Sequence, residues 1–280
     1  MQNFEKTLQA SLENLHSVGR LYFAPKQLFY EFCRTLRLPF AIDLKKYAPI
    51  IGTVSSLVRP YKTLDAPIAF GKFEQFLHEY LQSNKIEGLL KIEKEVKFAN
   101  KFPNDLMLYG LPKVLICETD EIAQMLRANQ FHLQTPCAVL SLGEANPLSE
   151  NFKKMLSNAE EPQVFFLHDA SLSAFSALRN LRKTLDLSEG IPLRPLGLRP
   201  VHARRLQLFA EKNVSHDFDF SEFDYLTESE KNWLIKGNSA EVSAVSPVRL
   251  MRVLRRLILG LEIPQSEWQI ALPQKSLGFM

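Results

Sequence analysis

The stretch Lys113-Val-Leu-Ile-Cys-Glu-Thr-Asp-Glu121 contains the pattern that decides the fold. Its apolar run, from Lys113 to Cys117, predicts a short buried strand, and Glu118 follows at the carboxyl end of that strand. Thr119 then offers a capping hydroxyl ahead of two acidic residues, which is typical of the first turn of a helix. The stretch therefore predicts a strand, an acidic residue and a helix in direct succession.

The same pattern occurs twice more along the chain. Cys137 to Leu142 predicts a second strand, which ends at Gly143, and Val164 to Asp169 predicts a third; apolar residues at helical spacing follow each one. Strands that alternate with helices favour a parallel sheet, in which functional residues lie at the carboxyl ends of the strands. The predicted fold class is therefore α/β, and we expect Glu118 and Asp169 to lie together.

These residues resemble the metal-binding positions of a Toprim domain, the fold found in topoisomerases, primases and some nucleases. That family has a glutamate after its first strand, a glycine after its second and Asp-x-Asp after its third. Glu118, Gly143 and Asp169 match the first three positions, whereas Ser171 stands at the fourth. The resemblance implies a Mg²⁺ site at Glu118, Asp169 and Ser171, since Mg²⁺ prefers hard oxygen ligands and retains water. Loss of the second aspartate would weaken such a site.

Three helices and a candidate wing are predicted ahead of this region. Apolar residues at helical spacing predict helices from Phe4 onward, from Pro25 onward and over the residues from Lys72 to Gln82. The run from Gly88 to Val96 then alternates as a strand or a wing would. This order favours a winged-helix unit.

The run Ala24-Pro-Lys-Gln-Leu-Phe-Tyr30 resembles the winged-helix segment of the topoisomerase VI A subunit and its meiotic relatives. In that family an Arg-Asp-x-Tyr-Tyr pattern carries the nucleophilic tyrosine at its last position. Tyr30 matches that position, while Lys26, Gln27 and Phe29 occupy the others. The resemblance implies that Tyr30 attacks a DNA phosphodiester, with metal and basic residues stabilising the developing charge. The alternative interpretation is an aromatic side chain that packs a small core.

The resemblance divides the chain into three parts: a winged-helix-like domain (1–105), a Toprim-like α/β domain with a parallel sheet (106–200) and a helical C-terminal extension (201–280). In the extension, Thr227 with Glu230 predicts a capping box, and Ser246-Pro247 predicts a second helix start. Arginines recur along one side of that second helix, at positions 249, 252 and 256. Such a stripe is typical either of a contact with DNA or an acidic partner, or of a solvated helix face.

Charge alone does not indicate a nucleic-acid partner, because the net charge is only +3 over 280 residues. Local clusters of basic residues carry that hypothesis, since lysine and arginine bind a phosphate backbone without reading its sequence. Solvated surface is the alternative interpretation of each cluster. The candidate DNA-binding residues are Lys26, Arg34, Arg37, Lys94, Arg204 and Arg205.

Other classes of protein are disfavoured by the composition. The longest apolar runs are shorter than the roughly 18 residues of a membrane helix, and no secretory apolar segment opens the chain, so we expect no membrane partner and a cytoplasmic location. Cys33, Cys117 and Cys137 are isolated in apolar contexts, which predicts neither disulfides nor a zinc site.

Three functions remain open. The first is a DNA-associated protein with a weakened or lost metal site, acting as a DNA-binding subunit, in a complex or as a homodimer. The second is a Mg²⁺-dependent nuclease or topoisomerase-like enzyme, in which Glu118 and Asp169 hold the metal and either Tyr30 or activated water breaks the strand. The third is a protein-interaction subunit that binds no nucleic acid. The absent second aspartate favours the first.

Overall fold

The computed structural model describes residues 2–17, 19–37, 62–91, 112–145 and 148–261. Within these ranges the chain is mixed α/β, as predicted, with a four-stranded parallel sheet, a two-stranded antiparallel pair and ten α-helices. In chain order the elements are α1 (Gln2–His16), α2 (Pro25–Arg37), α3 (Phe70–Ser83), β1 (Lys113–Cys117), α4 (Asp120–Ala128), α5 (Phe131–Gln134), β2 (Cys137–Ser141), α6 (Glu150–Asn158), β3 (Gln163–Leu167), α7 (Leu172–Thr184), β4 (Leu193–Gly197), α8 (Pro200–Arg205), β5 (Glu211–Lys212), α9 (Glu228–Ile235), β6 (Asn238–Ser239) and α10 (Pro247–Leu259).

The main sheet has the strand order β2-β1-β3-β4, and every neighbouring pair is parallel. Its inner strands are apolar on both faces because helices cover both sides, as parallel sheets require. Cys117 is in register with Leu167 at the carboxyl ends of β1 and β3. The residues that follow these two strands therefore emerge next to each other.

The two faces of the sheet belong to different hydrophobic clusters, because successive side chains of a strand point to opposite sides. Leu115 and Phe165 face the larger cluster, which also contains side chains of α1, α2, α3 and α10. Ile116 and Phe166 face the smaller cluster, which α6 and α7 cover. The N-terminal helices thus share one core with the sheet.

The N-terminal helices form where the apolar spacing predicts them. Phe4, Phe29, Phe32 and Phe73 bring α1, α2 and α3 together through ring contacts with centroids 5.0 to 6.0 Å apart. Phe23, just ahead of α2, forms an isolated parallel bridge with Leu89. The remainder of the candidate wing, at 92–96, and the predicted boundary at 105 lie outside the described residues.

Side chains from α4 and from the turn after β2 bind the outer edge of β2. Arg127 donates to the Val139 carbonyl at 3.2 Å and forms a two-pronged pair with Glu144, at 2.8 and 3.1 Å. Glu144 in turn accepts the N–H of Ser141 at 2.7 Å. Arg127 and Glu144 therefore satisfy outward-facing backbone groups of this edge strand.

A buried ion pair between Arg199 and Glu230 joins the residue before α8 to α9. Thr227 caps α9 and forms the predicted capping box with Glu230. The Glu230 carboxylate is fully buried and accepts two hydrogen bonds from the Arg199 guanidinium, at 3.1 and 2.7 Å. Arg199 is the residue before α8. None of the helices in the described ranges is long and apolar enough to cross a lipid bilayer.

Candidate functional site

Glu118 and Asp169 lie side by side at the carboxyl end of the sheet, as the strand pattern predicts. The Glu118 N–H donates to the Leu167 carbonyl at 2.8 Å and so extends the ladder between β1 and β3 by one residue. The Glu118 carboxylate then accepts the Asp169 N–H at 2.7 Å. The two acids are therefore joined directly, side chain to backbone.

Asp169 is held from its other side by a segment that follows β6. Its Oδ1 accepts the N–H of Val242 at 2.6 Å, and Ala170 pairs with Ala240 in an antiparallel bridge. Burial raises the pKa of Asp169 to about 8, and the negative charge of Glu118 acts in the same direction. Burial also raises the pKa of Glu118. Both acids are thus held in surroundings that disfavour negative charge.

Glu241 is the third acid of this site, and no local sequence pattern predicts it. Its Oε1 accepts the Lys26 ammonium at 2.6 Å, and its Oε2 accepts the Tyr30 hydroxyl at 3.2 Å. Lys26 and Tyr30 are four residues apart on α2, so they lie one above the other on the same face of the helix. We call Glu118, Asp169 and Glu241 the acidic edge.

Lys26 places a permanent cation at the acidic edge. Burial alone would lower the pKa of Lys26, but its hydrogen bond to Glu241 and the negative charges of Glu241, Glu121 and Asp169 outweigh burial, and the pKa is raised. The ammonium therefore remains charged.

Tyr30 is a packed, hydrogen-bonded side chain in this structure. It is 2% exposed, and its ring stacks on Phe209 with centroids 5.9 Å apart. Burial, followed by the negative charge of Glu241, raises the pKa of Tyr30 far above its usual value. These surroundings disfavour the phenolate that a nucleophile needs, because the phenol is buried and faces a carboxylate.

Ser171 serves as the N-cap of α7. Its Oγ accepts the Ala174 N–H at 3.1 Å and is bonded to the Ser173 hydroxyl at 2.8 Å. In the described part of the chain, no three His, Cys, Asp or Glu side chains are grouped as metal ligands. Glu118 Oε2, Asp169 Oδ1 and both Glu241 oxygens accept donors within the chain, and Ser171 caps a helix. The Mg²⁺ site that the Toprim resemblance implies stays a prediction.

The predicted DNA-binding residues on α2 make internal contacts. Arg34 pairs with Glu31 at 2.8 Å and donates to the Ala244 carbonyl, while Arg37 donates to the Asp65 carbonyl at 2.5 Å. Together with Lys26 and Tyr30, Arg34 thus attaches α2 to the segment 241–244.

The remaining predicted DNA-binding residues lie elsewhere. Arg204 donates to the Ser229 hydroxyl at 2.8 Å, and Arg205 is exposed on α8. Lys94 lies outside the described residues.

Comparison of the chain with protein-family models, with curated proteins and with solved structures gave no match.

Proposed function

We propose that this protein is a DNA-associated, winged-helix and Toprim-like subunit whose metal site has been lost. It binds DNA alone, as a homodimer or within a complex, in the cytoplasm. The observation that carries the noncatalytic part is the Glu241 carboxylate, which accepts Lys26 through one oxygen and Tyr30 through the other. Tyr30, which stands at the nucleophile position of the resemblance, and the neighbouring Lys26 thereby hold α2 against the segment 241–244.

In this proposal, Lys26 supplies the positive charge that the acidic edge needs. Carboxylates in a partly buried site repel one another unless a cation lies among them. Lys26 supplies that charge from within the chain, and the N–H groups of Asp169 and Val242 supply hydrogen bonds to the other two acids. A metal ion bound at Glu241 Oε1 would have to displace the Lys26 ammonium.

Mg²⁺-dependent strand cleavage is the second candidate function, and the adjacency of Glu118 and Asp169 favours it. Two neighbouring carboxyl groups with raised pKa values are a common feature of catalytic sites. If Tyr30 is the nucleophile in this alternative, α2 would have to move so that Tyr30 and Glu241 separate.

Cleavage and binding of supercoiled plasmid DNA, with Mg²⁺ or Mn²⁺ present, test the proposal. The wild type is compared with Glu118→Ala, Asp169→Ala and Tyr30→Phe, and gel-shift measurements on the same samples report DNA binding. We expect no metal-dependent nicking by any of the four proteins and DNA binding by all that fold, as judged by circular dichroism.

Metal-dependent nicking by the wild type that disappears in Glu118→Ala and Asp169→Ala would overturn the proposal. It would favour Mg²⁺-dependent strand cleavage instead. Tyr30→Phe would then separate a tyrosine nucleophile from activated water. Failure of the wild type to bind DNA at low salt would instead favour an interaction subunit without nucleic acid.

A further inference from the structure

The loop ahead of α2 places an aromatic side chain on the outside of the molecule. Tyr22 is 49% exposed. Every other phenylalanine, tyrosine and tryptophan in the described ranges is buried or half-buried. Aromatic rings contribute most when they are removed from water, so an exposed ring is a candidate contact for a ligand, provided that its position is fixed.

One amide side chain fixes the backbone of Tyr22. The Asn129 Oδ1 accepts the Tyr22 N–H at 3.0 Å, and the Asn129 Nδ2 donates to the Tyr22 carbonyl at 2.8 Å. The same nitrogen donates to the Met125 carbonyl at 2.9 Å, within α4. The next residue, Phe23, is fully buried. The ring therefore stands on a fixed support, and a ligand that binds it does not have to order this loop.

The stretch 85–91 lies beside this loop. The Phe23 N–H donates to the Gly88 carbonyl at 2.9 Å, and the Arg20 guanidinium is 3.3 Å from the Glu87 carboxylate. The side chains of this ion pair are 86% and 66% exposed. Because exposed ion pairs contribute little to stability, Arg20 can turn toward another anion at small cost.

The exposed charged residues of these two stretches are mostly basic. We call the exposed side chains at 19–23 and 85–91 the Tyr22 surface, which consists of Arg20, Tyr22, Lys85, Glu87 and Lys91. Three positive charges and one negative charge give this surface a net charge of +2. Half-buried leucines of the same stretches add apolar area. A ligand that fits offers negative charge together with a flat apolar face.

We infer that the Tyr22 surface binds single-stranded DNA, with an unpaired base stacked on the Tyr22 ring. This inference rests on the proposed function and specifies the form of DNA. The three basic side chains bind the neighbouring phosphates, which supplies affinity without reading base sequence. Unpaired bases offer their flat faces to an aromatic ring, whereas the bases of a duplex are already stacked on one another.

A protein partner fits this surface less well. Protein interfaces usually gather several aromatic or aliphatic anchors at a centre that is depleted of charged residues. The Tyr22 surface has a single exposed ring among four exposed charged side chains. Its net positive charge favours a polyanion.

Fluorescence anisotropy with two labelled DNAs tests the inference, using the full chain at about 50 mM NaCl. One is an oligothymidine of about 12 nucleotides, and the other is a duplex of the same length. The wild type is compared with Tyr22→Ala, with Tyr22→Trp, which keeps a ring for stacking, and with Leu133→Ala, a control at another exposed apolar position. Circular dichroism and the melting temperature report the folding of each variant.

Tyr22→Ala should weaken binding of the oligothymidine at least about fivefold, because it removes the ring on which the base stacks. Tyr22→Trp and Leu133→Ala should stay within about twofold of the wild type. The affinity of Tyr22→Ala for the duplex should equal that of the wild type.

Salt dependence tests the basic residues. Arg20→Gln/Lys85→Gln is titrated with oligothymidine between about 50 and about 200 mM NaCl. The control is Lys183→Gln/Lys212→Gln, which removes the same charge from two other exposed positions. Loss of two phosphate contacts should lower the magnitude of the slope of log K against log salt by about 1 to 1.5, and the control should keep the wild-type slope. Equal slopes in the two double variants would overturn the inference.

Unchanged affinity of Tyr22→Ala for oligothymidine, or equal losses for the two DNAs, would overturn the inference and leave the proposed function standing. Binding of the wild type to the duplex alone would do the same. Absence of wild-type binding to both DNAs would overturn both proposals. Sedimentation velocity provides the remaining comparison. Self-association that Tyr22→Ala abolishes, without a change in DNA affinity, would overturn the inference in favour of a contact between copies of this chain.

Discussion

Glu241 connects a helix, a loop and a sheet through two carboxylate oxygens and one neighbouring backbone group. Its side chain accepts Lys26 and Tyr30, and the next residue, Val242, donates its N–H to Asp169. Removing the carboxylate leaves an ammonium and a phenol partly buried without their acceptor, which costs more than the hydrogen bonds alone contribute.

We therefore expect Glu241→Ala to lower the free energy of unfolding by about 1–3 kcal/mol, measured by urea denaturation. In a double-mutant cycle with Tyr30→Phe, the coupling energy should be about 0.5–1.5 kcal/mol. Glu189→Ala, at an exposed position, is the control and should be close to neutral. Zero coupling would show that the hydroxyl contributes nothing through Glu241.

The pH dependence of stability should report the burial of His202. Burial lowers the pKa of His202 to about 3, and the charges of Arg199 and Arg205 act in the same direction against the opposing charge of Glu230. Below about pH 6.5 the folded state therefore binds fewer protons than the unfolded state. The contribution of neutral His202 to the free energy of unfolding is complete above that pH and is lost as the pH falls. His168, with a pKa lowered to about 4, contributes in the same direction.

His202→Asn should remove one of these two contributions. Between about pH 6.5 and 4 we expect the variant to lose less unfolding free energy than the wild type, by about 1–3 kcal/mol, with the His168 contribution left in both. Urea unfolding at several pH values measures the difference. Parallel curves for the two proteins would mean that His202 is protonated in the folded state.

Single residues of the site were predictable to different degrees. Glu118 follows an apolar run directly and Asp169 follows another after one histidine, so strand periodicity is enough to place them together. Glu241 follows a two-residue strand and lies far along the chain from its partners, and no local pattern marks such a contact. The sequence allows two interpretations of Tyr30, a nucleophile or a packed aromatic side chain. Only the positions of Glu241 and Phe209 discriminate between them.

At the scale of elements, α2 is positioned by side chains at intervals of four residues. Lys26, Tyr30 and Arg34 all lie on one face and contact the segment 241–244. Its apolar residues, among them Phe29 and Cys33, fill the core on other sides of the helix. One short helix therefore carries both its packing surface and its polar attachment to the sheet.

The cap of α7 offers a direct comparison with the Toprim pattern. Ser171→Ala removes the cap acceptor and should cost about 1 kcal/mol, whereas Ser171→Asp keeps a good N-cap and should stay within about 0.5 kcal/mol of the wild type. Ser171→Asp also places an aspartate at the position where Toprim domains have one. We expect it to fold normally in urea titrations and to show no metal-dependent plasmid nicking, because Lys26 still occupies the acidic edge.

The turn before the Phe23–Leu89 bridge requires glycine. Gly88 has φ +78, and an added Cβ would lie 2.4 Å from the Leu21 carbonyl oxygen. Gly88→Ala should therefore destabilise the protein by about 2 kcal/mol or more, through backbone strain and steric overlap. Gly190→Ala is the matched control, because a Cβ there meets nothing within 4 Å. Urea denaturation compares them, and equal stabilities would contradict the close approach.

Whole elements were more predictable than their contacts. The strand β1, from Lys113 to Cys117, and the start of α2 at Pro25 agree with the sequence patterns, because periodicity and capping are local properties. The strand order and the approach of α2 to the sheet are long-range outcomes of packing. No pattern within a single segment encodes them.

At the scale of the molecule, the larger hydrophobic cluster joins regions that the sequence assigned to separate domains. It includes Leu12 from α1, Leu115 from the sheet and Leu254 from α10. Disrupting any one of these regions exposes apolar surface in the others, which favours cooperative unfolding.

We expect a single unfolding transition in urea, with coincident curves from far-ultraviolet circular dichroism and from near-ultraviolet circular dichroism. The first signal follows the helices and the second follows aromatic packing in the core. Two separated transitions would instead indicate that the N-terminal helices and the region of the main sheet unfold independently.

The occupied edge of β2 has a consequence for how copies of this protein meet. An open edge strand offers unpaired N–H and C=O groups to any other extended chain and is a common starting point for amyloid-like growth. Arg127 and Glu144 already engage the backbone of Val139 and Ser141 on that side. A second molecule therefore finds no continuous row of free backbone groups there, and we expect β2 to resist pairing with a strand of another copy.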